Sequence, residues 1–194
     1  LKQSVGSIWK ARVPWLLLLM ISATFTSMIL SKYEARLSAV LFAFVPMLMG
    51  TAGNAGNQSS ATVIRALALG EVEFKDAFRV ILKELFSSLI IALTVSTVCF
   101  IKLYFIDSLY DAEVNFNVAF VVSLVLLLSI VMAKLVGCLL PLIAKKCRLD
   151  PAVVASPFMT TIVDVLALVI YCTVAIAILI LVQDVVLDGV QILF

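Results

Sequence analysis

The sequence predicts an all-α membrane protein with five transmembrane helices per subunit. Three observations point there. Of the 194 residues, 64% are apolar and only 13% charged, more apolar surface than a water-soluble domain can hide once its core is filled. The apolar residues gather into runs near or above the ~20 needed for a helix to cross a bilayer. No segment of about ten residues alternates apolar and polar as a barrel strand would.

The elements follow in order. Residues 1–13 read as an amphipathic interfacial or linker helix, with Leu1, Val5, Ile8 and Trp9 on one face and Lys2, Lys10 and Arg12 polar. Residues 14–194 form the transmembrane domain. Its spans are expected at residues 14–31, 35–69, 77–106, 115–141 and 152–183, with Pro14, Pro141 and Pro151 as helix breakers near their ends.

Orientation follows from the basic residues. One side carries Lys2, Lys10, Arg12, Arg65, Lys75, Arg79, Lys83, Lys145, Lys146 and Arg148; the other carries Lys32, Arg36 and Lys102. Ten against three places the N-terminus in the cytoplasm and, after five crossings, the C-terminus outside. Asp107, Asp111, Glu113, Asp184 and Asp188 then lie at the outer side, as a cation-attracting mouth or as plain solvated loops. A multi-pass protein of the cell membrane, of the bacterial inner-membrane kind, is the expected location.

Several function classes drop out. A net charge of +2 without a basic, aromatic-interleaved block gives nucleic acid no footing. Cys99, Cys138, Cys147 and Cys172 lack CxxC spacing and the chain has no histidine, so a zinc-type site is not expected. An odd number of spans argues against a simple inverted repeat. The chain opens at Leu1 with no signal-peptide layout, and a domain of a longer protein is expected.

Ionisable groups inside membrane spans are costly and mark function. Asp164 falls about a dozen residues into the fifth span, ~18 Å along a helix, near the bilayer midplane. Ser156, Thr160 and Asp164 recur every fourth residue and so share a face. Pro157 cannot donate to the carbonyl of Val153, which frees another oxygen. The plain alternative is a buried aspartate paired with Lys134 or a backbone amide. Lys134 itself is expected to snorkel toward the cytoplasmic face in a structural role.

Residues 50–60 hold three glycines, two asparagines and a glutamine. Close helix packing through small residues, at Gly50/Gly53 or Gly53/Gly56, is one reading. It leaves the amides unexplained. Polar groups at this depth are tolerated beside an aqueous cavity, and Gly50, Asn54 and Asn57 fall on one face that can line it. Carboxylate, hydroxyl and amide together make an all-oxygen ligand set suited to a hard cation. Mg²⁺ sheds its water reluctantly, so one carboxylate per subunit suits it better than the multi-carboxylate cage of Ca²⁺. Chemistry alone leaves Mn²⁺ and Co²⁺ open. In a two-fold dimer, two copies of Asp164 would balance the divalent charge.

At these residues the sequence resembles the MgtE family of Mg²⁺ channels and transporters. The resemblance is carried by Tyr33-Glu34-Ala35-Arg36-Leu37, by Pro46-Met47-Leu48-Met49-Gly50 and by the GNxGNQ pattern of Gly53-Asn54-Ala55-Gly56-Asn57-Gln58. It continues through Arg65-Ala66-Leu67-Ala68-Leu69-Gly70 and Leu149-Asp150-Pro151-Ala152 to the PFxTTxxD pattern from Pro157 to Asp164. The resemblance implies a homodimer with a pore between the second and fifth helices, and Asp164 as the residue that recognises hydrated Mg²⁺. It further implies that Gly50, Asn57, Ser156 and Thr160 line the site, with supplementary ion binding at Glu34 and Asp150. Family members commonly carry cytosolic Mg²⁺-sensing domains, including paired CBS domains; these are not among the 194 residues, so Mg²⁺-dependent gating is not expected of the chain alone.

Two rival functions make different demands on the residues. An aspartyl intramembrane protease needs two carboxylates sharing a proton, and only one, Asp164, is expected at depth; no HExxH occurs either. No enzymatic activity is expected. A proton-coupled transporter of another divalent cation or a small solute remains open, since a lone membrane aspartate can relay protons.

Overall fold

The computed structural model describes the backbone of residues 4–34 and 37–191, and within it leaves the side chains of residues 11–12, 34, 152–157 and 179–191 undescribed. Five helical passages are long and apolar enough to cross a membrane, and among the described residues there is no strand. Helix α1 (Val5–Glu34) makes the first passage. The second is split into a short α2 (Ala39–Ala43) and α3 (Val45–Ala68). Helix α4 (Ala77–Lys102) runs into a wider turn at Leu103–Asp107 and the short α5 (Ser108–Tyr110). Helix α6 (Phe116–Lys146) and α7 (Pro151–Gln191) complete the bundle.

The prolines divide by role. Pro151 is the first residue of α7, where a missing N–H costs nothing. Pro14 and Pro141 lie inside α1 and α6, so neither ends a helix as expected from sequence; neighbouring helices make such prolines tolerable in membrane spans. Pro46 opens α3 after a turn at Phe44. It has no N–H to return to Phe42, and the chain bends there instead of running as one helix over residues 35–69. The Tyr171 hydroxyl on α7 donates to the carbonyl oxygen of Leu41 beside this bend, an oxygen that also accepts the Phe44 N–H.

Helix α6 is the centre of the subunit. It packs against α3, α4 and α7, while α1 rests chiefly on α7. Leu48, Ile130, Leu168 and Tyr171 are fully buried in the main core. The α3–α6 crossing is unusually close. A Cβ at Gly137 would collide with the carbonyl of Gly56, and one at Gly56 would collide with the Met159 methyl and sit 2.9 Å from the carbonyl oxygen of Ala133. Only glycine permits that approach, the arrangement small residues allow between membrane helices. The outer faces of α1 and α4 expose Leu16, Phe25, Phe86 and Ile90, as a lipid-facing surface should.

Candidate functional site

Asp164 lies on α7, half-buried, one turn beyond Thr160. It opens into a cavity of about 340 Å³ between α1, α3 and α7. Thr160 and Thr161 of α7 and Ser22, Thr26 and Ser27 of α1 complete the polar part of the wall, and Leu19, Ala23 and Leu30 of α1 with Met49 of α3 form its larger apolar part. One carboxylate and five hydroxyls thus share the cavity. Ser22 donates to Thr161 Oγ1 at 2.7 Å, which ties α1 to α7 beside the carboxylate. Among the described residues, no ion pair involves Asp164.

The other expected ligands are placed differently. Gly50 is exposed, Gly53 and Asn57 are half-buried, and Asn54 and Gln58 are exposed. A Cβ at Gly50 or Gly53 would meet nothing within 4 Å, so this side of α3 faces away from its own subunit. Neither Gly50 nor Asn57 lines the Asp164 cavity; Met49, next to Gly50, does. The two readings of residues 50–60 therefore separate by position. Gly56 serves close packing, and the Gly50, Gly53, Asn54 and Asn57 face stays open. The side chains of Ser156 and Glu34 lie outside the described residues. Asp150 is exposed immediately before α7, away from the cavity lining.

Lys134 does not pair with Asp164 and does not snorkel. It is only 4% exposed, and its Nζ lies 2.7 Å from Glu84 Oε1 on α4 and donates to Ser59 Oγ on α3 at 3.0 Å. Glu84 is a second largely buried carboxylate within a span, which corrects the expectation of Asp164 alone; its place beside Lys83 near the basic end of the span gives no sign of burial. The hydroxyls of α1 were also missed. Ser22, Thr26 and Ser27 follow the spacing of one helix face, and that signal was available.

A carboxylate and five hydroxyls in an otherwise apolar cavity invite comparison with known transporters. A family model described as "MgtE: Divalent cation transporter" matches residues 45–174, from the start of α3 through the Asp164 segment of α7. The chain belongs to the MgtE family. It is 40% identical over 171 residues to the "Magnesium transporter MgtE" of Thermus thermophilus, covering 87% of this chain and 36% of that protein. It is 34% identical over 168 residues to the protein of the same name from Bacillus subtilis, covering 86% and 36%. A third, from Enterococcus faecalis, is 34% identical over 166 residues, covering 84% and 35%. The MgtE-family chain thus spans little more than a third of the length of these relatives. They are named as transporters, not enzymes, and with five membrane-length helices this family member is a multi-pass cell-membrane protein.

Proposed function

We propose that the chain is the ion-permeation domain of a Mg²⁺ transporter, which passes the hydrated ion through a pore at a homodimer interface. The observation that carries the reading is the open face of α3. Asn54, Asn57 and Gln58 stand at membrane depth on that helix, and among the described residues none has a side-chain hydrogen bond. Amides turned to hydrocarbon would each cost several kcal/mol, roughly. A second copy of the chain and a water-filled path beside it remove that cost. The N-terminus lies on the cytoplasmic side in this reading, because the basic residues do.

Asp164 supplies the charge. Its cavity of about 340 Å³ exceeds the roughly 180 Å³ that six waters occupy at ~30 Å³ each, so an ion can enter with its octahedral shell intact. Mg²⁺ holds that shell tightly, and hydroxyls at Thr160, Thr161 and Ser22 suit its outer hydrogens. Ser156, Asn57 and Gly50 would add oxygens along the path, and Glu34 and Asp150 would serve as supplementary sites at its two ends. Mn²⁺ and Co²⁺ prefer similar ligands and would substitute.

Liposome flux tests the proposal. Mg²⁺ entry through the reconstituted protein without a proton gradient, abolished by Asp164→Asn, is the expected result. Strict dependence on a proton gradient would replace it with coupled transport.

A further inference from the structure

The reading above leaves a buried ion pair unused. Lys134 of α6, Glu84 of α4 and Ser59 of α3 form a closed triangle: Lys134 Nζ to Glu84 Oε1 at 2.7 Å, Lys134 Nζ to Ser59 Oγ at 3.0 Å, and Ser59 Oγ donating to Glu84 Oε1 at 2.5 Å. The Lys134 and Glu84 side chains are 5% and 16% exposed, and Ser59 is 1% exposed. The triangle stands apart from the Asp164 cavity, with none of its members in that lining. A buried salt bridge contributes little net stability compared with apolar side chains of the same shape. Its best-attested use is to set register and orientation.

We propose that the Lys134–Glu84–Ser59 triangle is a positioning device for ion recognition, holding the rotation of α3 so that its amide face stays turned to the permeation path. The proposal rests on the dimeric-pore reading. Ser59 follows Asn57 by two residues, which places it about 200° around the helix at ~100° per residue, on the back of the open face. The triangle therefore grips α3 from behind, at the level where the amides point outward. One turn earlier, Gly56 lies against Gly137 and Ala133, and Ala133 is the residue before Lys134. Backbone contact sets the distance between α3 and α6 and admits only the glycine side of α3 at that level. The charged hydrogen bonds to Ser59 are directional and fix the same rotation more narrowly one turn further on.

Ser59→Ala isolates the effect, since it keeps the Lys134–Glu84 pair and cuts only the link to α3. The comparison uses the full chain in liposomes, normalised to correctly sized dimer, with Mg²⁺ and Mn²⁺ flux read over a concentration series. Ser59→Ala should raise half-saturating Mg²⁺ by roughly three- to tenfold, the scale of one ordinary net hydrogen bond, and narrow Mg²⁺/Mn²⁺ discrimination. Ser59→Thr, which keeps the hydroxyl, should restore both. Wild-type affinity and discrimination in folded Ser59→Ala dimer would overturn the positioning role. Asp164→Asn in the same assay keeps the two ideas apart: Mg²⁺ saturation unchanged by Asp164→Asn refutes the recognition of the ion at Asp164 on which the reading rests, whereas its loss beside an unaltered Ser59→Ala refutes only the positioning role.

Discussion

Ser22 of α1 donates a hydrogen bond to Thr161 of α7 across 2.7 Å, and this clasp forms one wall of the cavity that holds Asp164. The rest of α1 is largely exposed, so its seat on the bundle depends on few interactions. Ser22→Ala should therefore lower stability by about 1 kcal/mol, the usual net value of such a bond, seen as a lower thermal midpoint in detergent. Thr24 offers the control: its hydroxyl bonds only to the carbonyl of Met20 in the same helix, and Thr24→Ala should leave the midpoint where it was.

Asp164→Asn keeps the shape of the side chain and deletes its charge. Calorimetry on the variant should show Mg²⁺ binding in the pore lost while the dimer elutes unchanged. Wild-type affinity in the variant would rule out Asp164 as the recognition residue.

Lys134→Met strands the Glu84 carboxylate among apolar helices. Removing one partner of a buried pair costs roughly 3–5 kcal/mol, so the single variant should fold poorly. Adding Glu84→Gln to it removes the orphaned charge and should recover most of the yield of folded protein. A Lys134→Met protein with wild-type stability would mean that the pair at 2.7 Å does not persist in the membrane. The 4% exposure of Lys134 replaces the snorkelling expected from sequence with a buried pair, and it is folding that the variant should lose first.

The glycines of α3 and α6 should divide sharply. Gly137→Ala or Gly56→Ala places a methyl against opposing backbone, and overpacking of this kind costs typically ~1–3 kcal/mol. Gly50→Ala and Gly53→Ala meet open space and should fold normally, with any loss confined to ion flux. Equal instability at all four positions, measured by thermal melting, would show that the open face is packed.

Five apolar runs, the interruption of their composition at residues 50–60 and the isolated carboxylate at Asp164 were all legible from residue order alone. The reason is that a bilayer penalises polar groups by depth, and depth along a helix is a linear count from its ends. Pairing was not legible. Nothing in the spacing of Ser59, Glu84 and Lys134, separated by 25 and 75 positions, says that they meet, because contacts between helices depend on rotation and crossing. The same applies to Gly56 and Gly137, and to the hydroxyls of α1 that reach the Asp164 cavity.

What residue order settled by itself is the membrane class, the five passages and membership of a cation-transporter family, since each depends on composition and motif read along one dimension. Which glycines touch backbone, which carboxylate takes the lysine and which face of α3 is left open were decided only when the helices packed. Interactions between side chains fall off within a few ångströms, and only the bundle brings distant residues that close.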